Sequence, residues 1–196
     1  DKAAVRGVIE PLKSRCIIVE LEVNVDDWCQ WANQNNMPPE LVAFAKLRPT
    51  LLHDFKPSTD MNNSSSPRGF EAIGRMMING CPKDIEYEIF RGSCGDQVAT
   101  EFCGFLKNYR EMPDPEAYLR EPDKPLPTDE STTYALAAAL AARANKQNVQ
   151  KIYDLAMRLD AEFSTFMIFS MVQRDKKMAQ CAGMATWSKK FAPYLM

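Results

Sequence analysis

From Cys16 to Val23 the chain reads Cys16-Ile17-Ile18-Val19-Glu20-Leu21-Glu22-Val23, with Ile17, Val19, Leu21 and Val23 on one face and Glu20 and Glu22 on the other. A two-residue period of this kind marks a half-buried strand. It is the best strand in the sequence, and it stands alone. A single strand leaves its backbone N–H and C=O groups unpaired, so residues 16–23 need sheet partners that we expect upstream, outside this chain. The rest follows the period of amphipathic helices, and the expected fold is mainly α with one N-terminal strand.

Helices are predicted in order. Asp26 and Asp27 open a short one through Trp28, Trp31 and Ala32, and Pro38-Pro39-Glu40 opens another through Leu41, Phe44, Ala45 and Leu47; Asp and Pro are good helix openers. Two more run from Pro82 to Phe90 and from Gln97 to Tyr109, broken by Gly92 and Gly95. In the second, Val98, Phe102, Phe105, Leu106 and Tyr109 form a core stripe. Residues 112–129 then carry Pro113, Pro115, Pro122, Pro125 and Pro127, a composition that stiffens a connection around one short helix expected at Glu116 to Leu119. After it, Thr128-Asp129-Glu130-Ser131 caps a long alanine-rich helix to Arg143, and helices over 149–159, 162–174 and 184–194 complete a tail. Its expected core is Leu136, Leu140, Ile152, Leu155, Phe163, Phe166, Ile168, Phe169 and Val172.

Between the second and third helices of this series lies Ser64-Ser65-Ser66-Pro67-Arg68-Gly69-Phe70-Glu71. Ser66 suits the N-cap and Pro67 the first helical position. Arg68 is the unusual residue, because a cation in the first turn faces the positive end of the helix dipole. Either an anion such as phosphate sits there, using the arginine and the free N–H groups, or the side chain bends away into solvent.

Composition narrows the function classes. With 45% hydrophobic and 26% charged residues the chain is globular, and its longest apolar stretch, residues 134–142, is far short of the ~20 a membrane-spanning helix needs. No membrane partner is expected. A net charge of −2 argues against nucleic acid. Six cysteines lack any C-x-x-C pair and His53 is the single histidine, so neither a zinc site nor a disulfide framework is expected. Reduced cysteines serving as small core hydrophobes fit a cytoplasmic protein. His53 reads as a hydrogen-bonded structural residue. No glycine is followed by lysine, which excludes the phosphate loop G-x-x-x-x-G-K-S/T from this chain. An apolar strand ending in Asp-Glu, a G-x-S-x-G elbow and H-E-x-x-H are also missing. The chain opens on Asp1, inside what reads as a helix or loop, and is expected to be part of a longer protein.

The order of short motifs resembles the C-terminal portion of a MoxR-like AAA+ ATPase. The matching residues are Glu10-Pro11-Leu12-Lys13-Ser14-Arg15 before the strand, Val19-Glu20-Leu21-Glu22-Val23, Asp26-Asp27-Trp28, Arg48-Pro49 with Leu51-Leu52-His53-Asp54-Phe55, and Ser66-Pro67-Arg68 with Phe70-Glu71. Residues 99–106, Pro113-Asp114-Pro115 and residues 134–140 are similar too. The resemblance implies three parts: residues 1–24 as the end of the ATPase core, 25–112 as a helical lid, and 113–196 as a proline-rich linker and helical extension. It also implies that Arg68, with Ser66 and Pro67, is the sensor 2 turn, which reaches the γ-phosphate of ATP bound by its own subunit. Arg15, with Arg6 as the weaker candidate, resembles the arginine finger that enters a neighbouring subunit's site; without the resemblance, Arg15 reads as a cation at a helix C-terminus. ATP and Mg2+ are then cofactors of the longer protein, none held by this chain alone. Its partners are neighbouring subunits of a homo-oligomeric ring, a hexamer by family habit, with a client protein or von Willebrand A-type partner. The alternative is a stand-alone helical interaction module or adaptor with no nucleotide role.

Overall fold

The computed structural model describes residues 11, 14–17, 19, 21–54, 63–112, 114–121 and 123–194. Over these the protein is mainly α-helical. Ten α-helices follow one another: α1 (Val25–Gln34), α2 (Pro39–Leu47), α3 (Pro67–Ile78), α4 (Glu86–Cys94), α5 (Asp96–Glu111), α6 (Ala117–Arg120), α7 (Glu130–Ala142), α8 (Val149–Ala156), α9 (Ala161–Arg174) and α10 (Ala182–Phe191). Their starts obey local chemistry. Asn24 caps α1 by accepting from the Asp26 and Asp27 N–H groups, and Asp129 caps α7 by accepting from Thr132 N–H at 2.8 Å.

The alanine-rich helix α7 is the centre of the molecule. Thr133 to Ala141 are all buried, as expected for a helix apolar on every side. It packs on α2 and α9, with α5 also against it. Alanine makes this possible, because short side chains let neighbouring helices approach without steric conflict. The helices of 25–112 and those of 130–194 therefore share one core. Two polar ties join them: Asn33 Nδ2–H donates to Gln173 Oε1 at 2.9 Å, and Arg174 Nη2–H donates to the Met37 carbonyl at 2.7 Å. At the far end Trp187 is fully buried, and its Nε1–H donates to Ser164 Oγ at 2.8 Å; Ser164 in turn donates to the Ala156 carbonyl.

Two sequence expectations differ in detail. Of the alternating stretch 16–23, Ile18 and Glu20 lie outside the described residues, and the others are in no strand. Ile17 and Leu21 are 93% exposed and Val19 70%. Among the described residues no second strand lies beside it and the segment has no ladder to join, which is the backbone problem its pattern raises. Phe169, expected in the core, is 42% exposed. No helix among the described residues is long and apolar enough to cross a membrane.

Candidate functional site

The first turn of α3 is held from several sides. Ser66 is extended at φ −154°, and its hydroxyl oxygen accepts from Gly69 N–H at 3.1 Å. Pro67 follows at the first helical position, and its carbonyl accepts from Trp28 Nε1–H at 3.3 Å. Phe70 is fully buried, edge-on to Trp28 with ring centroids 5.6 Å apart and stacked on Phe44 at 6.1 Å. Gly69 lies against the end of α4 so closely that a Cβ there would sit 2.5 Å from Cys94 Sγ and 2.7 Å from the Ser93 carbonyl oxygen.

The loop leading in is tied down as well. Ser65 Oγ donates to the Leu51 carbonyl, Asp54 N–H donates to the Ser65 carbonyl at 3.3 Å, and Asn63 Nδ2–H donates to the Gly92 carbonyl. Gly95, at φ +86°, passes so near the Asn63 carbonyl that only glycine fits without strain. Beside the turn, Leu51, Asn63, Ser65, Gly95 and Gln97 line a cleft of about 210 Å³.

Ser66, Pro67 and Arg68 thus come together as the sequence predicts, but the donors available differ. Ser66 Oγ already satisfies Gly69 N–H, Phe70 N–H donates to the Ser66 carbonyl, and Pro67 has none. The Arg68 N–H is left as the one backbone donor of this turn without a bond among the described residues. Arg68 itself is exposed, and its guanidinium makes no ion pair or hydrogen bond among them. The first turn of α3 carries no acidic residue. An anion would therefore meet a free guanidinium on a fixed turn.

Covalent chemistry is a poor fit for the same turn. The Ser65 and Ser66 oxygens are committed to backbone groups, and burial pushes the Cys94 thiol up to about 11, against the pull of hydrogen bonds with Ser66 and Ser65. At neutral pH it is a protonated, weak nucleophile. Arg15 occupies an exposed turn at 14–16 and makes no ion pair or hydrogen bond among the described residues. Arg6 lies outside them. His53 is exposed and makes no hydrogen bond among the described residues, unlike the structural histidine expected. No group of three or more His, Cys, Asp or Glu able to hold a metal occurs among them.

A second concentration of charge was not foreseen. Glu40 on α2 faces Arg110 and Glu86 from α5 and α4, and Arg174 from α9. Burial raises the Glu40 carboxyl above its ordinary range and lowers Arg174, and it pushes the nearby Tyr109 phenol up to about 12, with the Glu40 charge adding to the rise. Arg110 meets Glu86 through both oxygens, at 2.9 and 2.5 Å. In sequence these residues sit on four different helices, and only their helical faces hinted at proximity. No protein-family model, curated protein or solved structure matches this chain.

Proposed function

We propose that this chain is the lid and C-terminal region of a ring-forming MoxR-like AAA+ ATPase, which couples ATP hydrolysis to protein remodelling or complex assembly. The observation that carries the reading is Arg68: an exposed arginine with no partner among the described residues, on the first turn of a helix whose cap and flanks are fixed by Ser66, Trp28, Phe44 and Ser93. Charge stabilisation at a transferring phosphoryl group uses cations set on a fixed backbone, because the less the site must reorganise the more of their interaction goes to the transition state.

In this reading Arg68 is sensor 2, acting on ATP in its own subunit. Arg15 acts in trans on the neighbour's ATP, and the exposed apolar face of Ile17, Val19, Leu21 and Val23 joins the nucleotide-binding sheet. ATP and Mg2+ bind the longer protein, the setting is cytoplasmic, and the other partners are neighbouring subunits and a client or von Willebrand A-type protein. The chain by itself turns over no ATP, since the phosphate loop and magnesium carboxylates are not in its sequence.

The test uses the ring-forming protein. Arg68→Ala should lower ATP turnover by about 10²-fold or more, and Arg15→Ala subunits mixed into unaltered rings should depress the activity of their neighbours. Unchanged turnover with Arg68→Ala removes that residue from the site. Appreciable turnover by the 196-residue chain alone overturns the reading.

A further inference from the structure

A groove of about 860 Å³ runs between α1 and α9, well away in sequence from the α3 turn. Its apolar part is Phe166, buried, and Phe169, which is exposed on its outer side. The Phe169 ring is held edge-on to Trp187, with centroids 6.1 Å apart, so it is an ordered anchor. Asp26, Asp27 and Glu162 surround this floor, with Lys46 as the one cation. Lys46 is already paired with Asp26 at 2.5 Å. Glu162 Oε1 accepts from the Tyr134 hydroxyl at 2.6 Å. The Asp27 carboxylate has no ion pair or hydrogen bond among the described residues.

The walls are two helices whose backbone groups are satisfied internally, so the groove offers side chains alone. An extended peptide would find no strand edge to pair with. An occupant must bring its own satisfied backbone, which means a helix laying an apolar face into the groove. Its charge follows from the rim, where three carboxylates face one already paired lysine. We infer that this groove docks a basic amphipathic helix of a partner protein, its apolar residues over Phe166 and Phe169 and its Lys or Arg side chains on Asp27 and Glu162.

The probe is a labelled synthetic helix with leucine every three to four residues and lysine elsewhere, compared with the same peptide carrying glutamate for lysine. Fluorescence anisotropy at physiological salt should show saturable binding of the lysine peptide, with the glutamate peptide at least about tenfold weaker. Asp27→Lys and Phe169→Ser should each weaken the lysine peptide by about tenfold or more, roughly 1.4 kcal/mol. Asp27 is exposed, so its variant leaves the fold intact, and thermal melts of both variants verify that. No binding, or equal binding to all variants, overturns the inference. So does concentration-dependent self-association abolished by Phe169→Ser, because a second copy would then be the occupant.

Discussion

Gly69 is the residue on which the α3 turn most depends. Any Cβ there meets the Ser93 backbone carbonyl at 2.7 Å as well as the Cys94 sulfur, and a backbone oxygen cannot yield as a flexible side chain does. Gly69→Ala should destabilise the protein by about 1–3 kcal/mol, whereas Arg68→Ala, at an exposed position with no partner among the described residues, should stay within about 0.5 kcal/mol. Urea denaturation of the two variants measures both. An Arg68→Ala loss as large as that of Gly69→Ala would make the arginine a structural residue. Ser66-Pro67-Arg68 was legible in the sequence because capping is a local matter of a few consecutive residues. The constraint on Gly69 was not, since it comes from α4. Glu40 supplies the pH-dependent case. Its folded pKa is raised, by burial first and by Glu86 after it, despite its own backbone hydrogen bond and the pull of Arg110 and Arg174. The ionised carboxylate therefore costs stability at neutral pH, and the cost vanishes below the ordinary carboxylate pKa, where Glu40 is protonated folded and unfolded alike. Glu40→Gln should be the more stable chain above the folded pKa, with an advantage that shrinks as pH falls through the carboxylate range. Urea midpoints of both chains across that range check the sign, and an advantage growing toward acid contradicts it.

At the scale of elements, α7 shows how little room the centre of the fold leaves. Ala137 is fully buried between α2 and α9, so Ala137→Leu should cost about 1–3 kcal/mol through overpacking although leucine is an excellent helix former. A variant as stable as the unaltered chain in chemical denaturation would mean that α7 has slack around it. The helical series itself could be read from the sequence, and all ten α-helices begin within a few residues of the predicted starts, because period and caps are properties of each segment alone. The place of α7 could not. A run of small apolar residues has no polar face, so it announces a helix without saying which neighbours enclose it. Phe169 was hidden for a related reason: Phe163, Phe166 and Phe169 recur at three-residue steps, which looks like a core stripe, yet that spacing drifts around the helix and carries the last ring out to the surface of α9. The exposed alternation at 16–23 is the opposite case, a strong local pattern with no partner beside it among the described residues to complete it.

For the whole molecule, the proline-rich stretch 112–129 divides the sequence more sharply than it divides the structure. Helix α7, which follows it, fills the space between α2 from before it and α9 from after it, and the ties Asn33 to Gln173 and Arg174 to Met37 cross the same boundary. A core shared in this way unfolds as one unit, because removing either side strips apolar surface from the other. Far-UV circular dichroism and tryptophan fluorescence, the latter reporting Trp28 and Trp31 at one end and Trp187 at the other, should therefore give coincident urea transitions. The stronger test is truncation. A chain ending at residue 112 keeps α1 to α5 but uncovers the face of α2 on which α7 lies. It should lose its cooperative transition and self-associate through the uncovered face. A truncated chain that stayed monomeric and unfolded cooperatively would show that residues 25–112 carry a core of their own, and that helices α7 to α10 are an addition to it and not its filling.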